Sequence, residues 1–346
     1  MPAGPEQAAQ LARAAYELYV EAEYNLLLIV ARRLARGIDR TGWAEAKLKE
    51  VYQLRLQVER RMGIVTRRGA TLVEEALGQA YARGGASAAA DLDASSPLPI
   101  ATSQPALRAL LLETTAALAA TQRYVLRSVL DAYHAAIAQP AGRVLIGDVT
   151  RRQASQQALD RLLGQGITGF VDRSGRRWDL ASYTEMAVRT GVGHAAVQGH
   201  LDTLQAAGHD LVIVSNAPGE CRRCRPWESK VLSISGQTRG HPMVAEARRA
   251  GLFHPGCRHR LGVYLPGVTE PEADTADPEG EAARQQQRYL ERGVRQWKRR
   301  QALALDAQAS RTASIKVRAW QAALRQHVAA TGGKRLRYRE RVGAAR

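Results

Sequence analysis

The chain has 346 residues and a formal net charge of +17, with 45% hydrophobic but only 5% aromatic residues. This length exceeds the usual span of one hydrophobic core, so we expect two or three structural units. Because the whole chain has two phenylalanines, helix packing through alanine and leucine is favoured over a β-sandwich. The longest apolar run near the amino terminus, residues 26–30, is too short for a secretory or membrane-spanning segment, and we expect no membrane partner.

Residues 1–141 are predicted to form an elongated N-terminal helical unit. Apolar residues recur there every three or four positions, the period of an amphipathic helix. Gly37 ends the first helix, and a Gly-, Ser- and Pro-rich stretch over 83–100 predicts a loop before the last one. The predicted helices cover about residues 6–36, 43–62, 70–83 and 105–138.

Residues 142–267 are predicted to form a compact α+β module. Thr150 and Ser182 are each followed three residues later by Gln or Glu, the spacing of a capping box that opens a helix. Between them, "ITGFVDRSGRRWDL" alternates around a polar turn, which predicts a β-hairpin with Gly175 in the left-handed conformation. The later run "DLVIVS" predicts a short buried strand that leads into the first pair of cysteines.

The last part of the chain changes sign in charge. Residues 268–280 are acidic, contain prolines and lack apolar periodicity, so they are predicted to be an acidic linker. Residues 281–346 contain 17 Lys/Arg against 4 Asp/Glu, a net charge of +13, and are predicted to form a basic C-terminal helical arm of two helices that ends near "TGG". The fold class predicted for the whole chain is therefore α+β and predominantly helical.

The charge density of this arm implies an anionic partner. Nucleic acid is favoured over a membrane because the arm lacks the bulky apolar face that lies in an interface. Trp297 and Tyr338 are interleaved with the basic residues, although a role as core anchors is favoured for the tryptophans. The candidate phosphate-binding residues are Arg292, Arg295, Lys298, Arg299, Arg300, Lys334, Arg335, Arg337, Arg339 and Arg341.

All three cysteines of the chain fall in two short motifs. Cys221 and Cys224 form C-x-x-C, and after 29 intervening residues His254 and Cys257 form H-x-x-C. Two tight turns that each present two ligands are typical of a tetrahedral zinc site. Three thiolates and one imidazole would fill all four positions and leave none for water. The sequence therefore predicts a structural zinc ion that contributes to folding.

Other interpretations of these residues remain open. A redox C-x-x-C pair leaves the H-x-x-C motif unexplained, and the cysteines could instead be buried hydrophobes beside a core histidine. His259 lies two residues after Cys257 and is an alternative fourth ligand or an orienting group outside the ligand shell. His254 is favoured as the ligand because its spacing from Cys257 matches that of the first pair.

Three stretches, "CRRCRPW", "GLFHPGCRH" and "RYLERGVRQWKRR", occur in this order, and with "VDRSGRRWDL" they give about residues 166–297 a family resemblance. The region resembles the phage minor capsid proteins, the minor head or head-morphogenesis family that includes the MuF-like proteins. That family often has Gly where Ser229 stands and Asn where Gly256 stands. The resemblance implies a low-copy structural component of a tailed-phage or prophage head, made in the host cytoplasm and resident in the virion. It also implies association with the portal or capsid proteins, with the helical unit over 1–141 as the assembly domain. The second implied partner is packaged double-stranded DNA, which a basic arm would bind non-specifically and in a salt-dependent way.

Two other classes of function are alternatives to a structural phage protein. A metal-dependent nuclease would place His241, His254 and His259 near a metal with DNA as substrate. Few carboxylates lie nearby and a filled ligand shell has no place for an activated water, so no enzymatic activity and no catalytic residue are predicted. A regulatory DNA-binding protein would need a recognition helix, and we find no helix-turn-helix spacing.

Overall fold

The computed structural model describes residues 5–92, 104–145, 150–165, 170–171, 175, 177–217, 219, 221–271 and 277–343. This part of the chain contains ten α-helices and five short β-strands, which confirms the predominantly helical α+β class. The helices are α1 (Pro5–Leu11), α2 (Arg13–Ala35), α3 (Trp43–Lys49), α4 (Val51–Asp91), α5 (Gln104–Leu145), α6 (Arg151–Gln165), α7 (Leu180–Ala206), α8 (Val244–Arg249), α9 (Pro278–Ala302) and α10 (Ala307–Thr331). The strands are β1 (Phe170–Val171), β2 (Arg177–Trp178), β3 (Leu211–Val214), β4 (Val231–Ser233) and β5 (Leu261–Val263).

The chain divides into two compact units, and each is built from three segments that are distant in sequence. The first unit comprises Met1–Ala15, Gly69–Ala117 and Thr184–Arg284. The second unit comprises Tyr16–Arg68, Leu118–Tyr183 and Gln285–Arg346. Whether the four segments predicted from sequence act as separate functional parts stays a prediction.

The amino-terminal helices follow the prediction at the start of the chain but not along α4, which joins the helices predicted over 43–62 and 70–83 without a break. The helix predicted over 6–36 is found as α1 and α2, and Gly37 follows in the left-handed conformation with φ 67°. Helix α4, however, continues without interruption to Asp91. The loop predicted from residue 83 is therefore wrong as far as the structure describes this stretch.

Close packing of two helices in the first unit explains this difference. A Cβ atom at Gly84 of α4 would lie 2.0 Å from the carbonyl oxygen of Ala196 on α7. A Cβ atom at Gly199 of α7 would lie 2.1 Å from the carbonyl oxygen of Tyr81. Glycine costs a helix up to about 1 kcal/mol relative to alanine, but here it allows two backbones to touch. Glycines that predict a loop from sequence alone are therefore needed here for the close packing of α4 against α7.

The helix α6 begins as predicted, whereas α7 does not. The Thr150 amide donates to Gln153 Oε1 at 2.9 Å and the Gln153 amide donates to Thr150 Oγ1 at 3.2 Å, which confirms that capping box. Helix α7 instead begins after Asp179, whose Oδ1 accepts from the Ser182 amide at 2.8 Å. The capping box predicted at Ser182 is therefore wrong by three residues. Aspartate is an equally good cap, so local sequence did not distinguish the two sites.

The predicted hairpin is confirmed by the antiparallel pair of β1 and β2. Phe170 faces Trp178 across the pair, and Gly175 in the turn has φ 80°. The sheet of the first unit has the order β4-β3-β5, with both outer strands antiparallel to β3. The central strand β3 matches the predicted run, while β4 and β5 have three residues each and had no sequence signal of their own.

The core of the first unit lies beside this sheet. Val212 of β3, Leu232 of β4 and Leu261 of β5 are fully buried in one apolar cluster. Cys224 and Phe253 belong to the same cluster, and Trp227 packs against it. The sheet therefore supports the loops that hold the cysteines, and Trp227 packs beside them.

Helices α9 and α10 pack together in the second unit. Leu290, Val294 and Leu324 form their buried contact, and Trp320 packs against it. A Cβ atom at Gly293 would lie 2.2 Å from the Trp320 ring, so only glycine leaves room for the indole there. This placement confirms Trp320 as a core anchor. No helix in the described part of the chain is both long and apolar enough to cross a bilayer.

Candidate metal centre and basic arm

The two cysteine motifs form similar turns. The Cys224 amide donates to the Cys221 carbonyl at 3.1 Å, and the Cys257 amide donates to the His254 carbonyl at 2.9 Å. Ser229 and Gly256, the positions where the phage family differs from this chain, both have left-handed backbones, with φ 58° and 87°. Glycine and asparagine adopt that conformation readily. The glycine and asparagine that the resemblance gives at these two positions would therefore suit the same backbone conformation.

The donor atoms of these turns come together in two overlapping groups. Cys221, Cys224 and His254 form one, and Cys224, Cys257 and His259 form the other, with the donor atoms of each group within 4.8 Å of one another. A tetrahedral zinc ion with Zn–S bonds of about 2.3 Å would place two sulfurs roughly 3.8 Å apart. The Cys224 and Cys257 Sγ atoms lie 3.5 Å apart. The cysteine and histidine donors and this sulfur spacing suit a zinc ion, and the four predicted ligands are divided between the two groups, which share Cys224.

His254 is oriented as a ligand to a metal would be. Its Nε2 lies 2.7 Å from Cys221 Sγ. To coordinate one zinc ion, these two atoms would need to move apart by less than about 1 Å. Its Nδ1 lies 2.9 Å from the Pro255 carbonyl oxygen, which can only accept a hydrogen bond. Nδ1 therefore holds the proton, and the lone pair of Nε2 faces the thiol.

His259 lies on the other side of the cluster, in contact with an acidic residue. Its Nδ1 is 3.4 Å from Cys257 Sγ, and its Nε2 is 2.6 Å from Glu228 Oε1. Burial alone would lower the pKa of His259, but the hydrogen bonds to Cys257 and Glu228 outweigh it and raise the pKa. Glu228 is one of the few carboxylates near the cysteine motifs. Its role as the partner of His259 had no signal beyond its place four residues after Cys224.

The sulfur atoms influence one another. The Cys224 and Cys257 sulfurs share a hydrogen bond, and this contact lowers the pKa of Cys257 and raises that of Cys224. Burial opposes the ionisation of both, and His259 favours the Cys257 thiolate. The thiolate is the form that binds a metal. His241 belongs to neither donor group in the described residues, which removes one of the three histidines from the nuclease interpretation.

Three of the arginines predicted to bind phosphate are buried in the second unit. Arg295 donates to the Arg339 carbonyl oxygen at 2.7 Å and to Ser182 Oγ at 2.9 Å. Arg299 forms an ion pair with Glu23 at 2.8 Å, and Arg339 is also buried. These buried side chains make contacts within the second unit. Arg295, Arg299 and Arg339 are therefore removed from the predicted phosphate-binding residues, and the prediction stays for the others.

Two partly exposed arginines of the arm also contact acidic residues. Arg335 forms two hydrogen bonds to Glu340, of 2.5 and 2.6 Å. Arg300 donates to the Asp160 carbonyl oxygen at 3.1 Å and lies 4.4 Å from the centre of the Trp297 ring. Lys298 is half-buried, and burial lowers its pKa. The exposed members of the predicted set are Arg292, Lys334, Arg337 and Arg341.

Comparison with known proteins places the chain in a family. A family model described as phage minor capsid protein 2 matches residues 4–329. The chain belongs to that family. The phage minor capsid resemblance predicted from the sequence motifs is therefore confirmed, and the match extends it over most of the chain.

This minor capsid protein also has a curated phage relative. It is 28% identical over 202 residues to a "Structural protein" of Lactococcus phage LL-H, and the match covers 54% of each chain. The chain thus spans about half the length of that relative. No solved structure matches the present chain. The family match ends at residue 329, so the basic residues at 334–341 lie beyond it.

Proposed function

We propose that this minor capsid protein is a low-copy structural component of a tailed-phage head that contacts the portal or capsid proteins and the packaged double-stranded DNA. The observation that supports this proposal is the family match over residues 4–329. We propose a structural role without catalysis, because the ligand set that the cluster offers leaves no position for an activated water. The protein would be made in the host cytoplasm and retained in the virion.

We propose that Cys221, Cys224, His254 and Cys257 bind a structural zinc ion. The two matching turns, the 3.5 Å spacing of two sulfurs and the orientation of the His254 ring support this choice of ligands. The ion would supply a cross-link between loops that are separated by 29 residues in sequence. His259 and Glu228 would lie outside the ligand shell and orient Cys257 through the contacts described above.

We propose that the exposed end of the basic arm contacts DNA phosphates. Lys334, Arg337 and Arg341 are exposed there, close together in sequence. Such contacts release counterions and bind without sequence preference. Affinity for unrelated duplexes should therefore be equal, and it should fall steeply as the salt concentration rises.

The head assignment is tested by the composition of purified particles. Heads assembled from the phage's own head genes are isolated, and their subunits are quantified by mass spectrometry. We expect this protein in mature heads at far fewer copies than the major capsid protein. Its absence from purified heads, or a copy number near that of the major capsid protein, would contradict the proposal.

Replacing Glu228 with glutamine tests the outer hydrogen bond of the metal centre. Loss of the carboxylate charge weakens its hold on His259, and we expect zinc affinity to fall by about 10- to 100-fold. Competition with a chromophoric chelator measures this affinity. Glu246→Gln is the matched control, because Glu246 accepts from the Met243 amide at 2.9 Å in the same unit and belongs to neither donor group. Equal zinc affinity in the two variants would show that Glu228 has no role at the metal.

A further inference from the structure

Helix α10 has a row of exposed arginines on the side opposite its buried face. Arg311, Arg318 and Arg325 are all exposed and are spaced seven residues apart. Seven residues are close to two helical turns, so the three side chains lie along one side of the helix. With a rise of about 1.5 Å per residue, this arginine row is about 21 Å long. Val317 and Leu324 are buried on the other side, against the second unit.

The neighbouring helix α9 is also basic, but many of its arginines have acidic partners. Its ion pairs in the second unit are Arg288–Glu291, Arg295–Asp179, Arg299–Glu23 and Arg300–Asp160. Much of the positive charge of α9 is therefore neutralised within the protein. Arginine content alone does not make a helix a surface for anions.

The arginine row of α10 differs from α9 in this respect. Helix α10 contains no Asp or Glu from Ala307 to Thr331. Arg311 donates to the neutral side chain of Gln308 at 2.8 Å. Among the residues that the structure describes, no carboxylate forms an ion pair with any arginine of the row.

The acidic residues nearest to the row in sequence have other partners. Asp306 precedes the helix, and its Oδ1 accepts a hydrogen bond from the Ala309 amide at 2.7 Å. Glu340 follows the helix and accepts two hydrogen bonds from Arg335. Neither carboxylate pairs with the row, so its three positive charges favour an anionic partner.

The residues beside the row favour nucleic acid over protein as that partner. Ile315, Ala322 and Ala329 are exposed four positions after each arginine, and Ile315 is the one large apolar side chain among them. The core of a protein–protein interface is depleted of charge and enriched in aromatic residues and Met. Protein–DNA interfaces are more polar and much more positively charged. A face of arginines and alanines matches the second kind.

The length of the row also matches the charge distribution of a duplex. Double-stranded DNA carries one negative charge per about 1.7 Å of its axis, so about 21 Å of duplex presents roughly a dozen phosphates. Each arginine would find a phosphate without a fixed register between protein and DNA. The planar fork of N–H donors on arginine matches the oxygens of a phosphate group.

We propose that the arginine row of α10 binds the phosphate backbone of double-stranded DNA. This inference rests on the proposed contact between the protein and packaged DNA, and it assigns that contact a second surface. The row lies within the residues that the family model matches, whereas Lys334, Arg337 and Arg341 lie beyond them. The two surfaces therefore consist of different residues and are tested separately.

The test is titration of the full-length, zinc-loaded protein with a short labelled duplex at several salt concentrations. We expect replacement of all three arginines of the row by glutamine to weaken duplex binding at low salt by at least about tenfold. The slope of log affinity against log salt should fall by about 0.9 for each phosphate contact that is lost. Glutamine is as good a helix former as arginine, so α10 should stay folded, and circular dichroism checks this.

A single substitution in the row has a matched control on the same helix. Lys316 is exposed and loses the same charge in Lys316→Gln, but it lies about 160° around the helix axis from Arg318. We expect Arg318→Gln to weaken duplex binding and Lys316→Gln to leave it nearly unchanged. Equal losses in the two variants would show that only overall charge matters, and they would overturn the proposal.

A second triple variant separates this inference from the proposed function. It replaces Lys334, Arg337 and Arg341 with glutamine and leaves the row intact. If it loses duplex binding while the row variant binds like wild type, the proposed DNA contact stands and the row has no part in it. If wild-type protein does not bind the duplex at all, both the proposed DNA contact and the role of the row are wrong.

Discussion

Replacing Cys224 with serine is expected to abolish stoichiometric zinc binding and to lower the stability of the zinc-loaded protein by more than about 4 kcal/mol. Cys224 is 0% exposed and lies in the apolar cluster of the first unit. A serine hydroxyl is a poor zinc ligand, and in this position it would also be a buried polar group. Metal analysis and denaturant unfolding, each with and without a chelator, measure the two effects.

The chelator supplies the control for this prediction. Wild-type protein stripped of zinc should unfold at nearly the same denaturant concentration as Cys224→Ser, and chelator should leave the variant unchanged. Trp227 is the one tryptophan within the sequence ranges of the first unit, so its fluorescence change should accompany loss of the metal. A full complement of zinc in the variant would contradict the assignment, as would wild-type unfolding that is indifferent to chelation.

Replacing Arg299 with methionine is expected to lower the free energy of unfolding by about 3–5 kcal/mol. The side chains of Arg299 and Glu23 are 8% and 1% exposed and form an ion pair at 2.8 Å. Removing the guanidinium leaves a carboxylate that is buried without its charged partner. Denaturant unfolding, followed by a probe of the second unit, measures the loss.

An exposed pair in the same unit provides the comparison. Arg55 and Glu59 lie 2.9 Å apart with side chains 57% and 37% exposed, so Arg55→Met should leave the unfolding transition nearly unchanged. Adding Glu23→Gln to Arg299→Met should recover part of the stability, because it removes the unpaired charge. If Arg299→Met instead weakens DNA binding and leaves unfolding unchanged, Arg299 acts at the surface and our interpretation of its burial is wrong.

The comparison of Arg299 with Arg55 separates two roles of the basic residues, one in the interior and one at the surface. A count of 17 Lys/Arg in the last 66 residues indicates an anionic partner, but charge on a helix can serve the interior as well as the surface. Arg295, Arg299 and Arg339 are buried. The positive charge at the surface of the arm is therefore smaller than composition implies, and its exposed end, Lys334, Arg337 and Arg341, is the better place to test for DNA contact.

Sequence alone was sufficient for several features that depend on residues close together in the chain. The capping box at Thr150, the hairpin turn at Gly175 and strand β3 were predicted correctly because a few adjacent residues determine each one. The two cysteine turns were found for the same reason, since each has its donor residues three positions apart. The family resemblance also followed from three short motifs that occur in the expected order, and the match over 4–329 confirmed it.

Tertiary structure decided the features that join distant parts of the chain. Gly84 stays helical because α7 packs against it, Arg299 is buried because Glu23 lies opposite, and His259 is oriented by Glu228. None of these partners is a sequence neighbour, so no local pattern could indicate them. The physical reason is that burial and pairing are set by the neighbours that folding brings together, whereas turns and caps are set by the backbone preferences of adjacent residues.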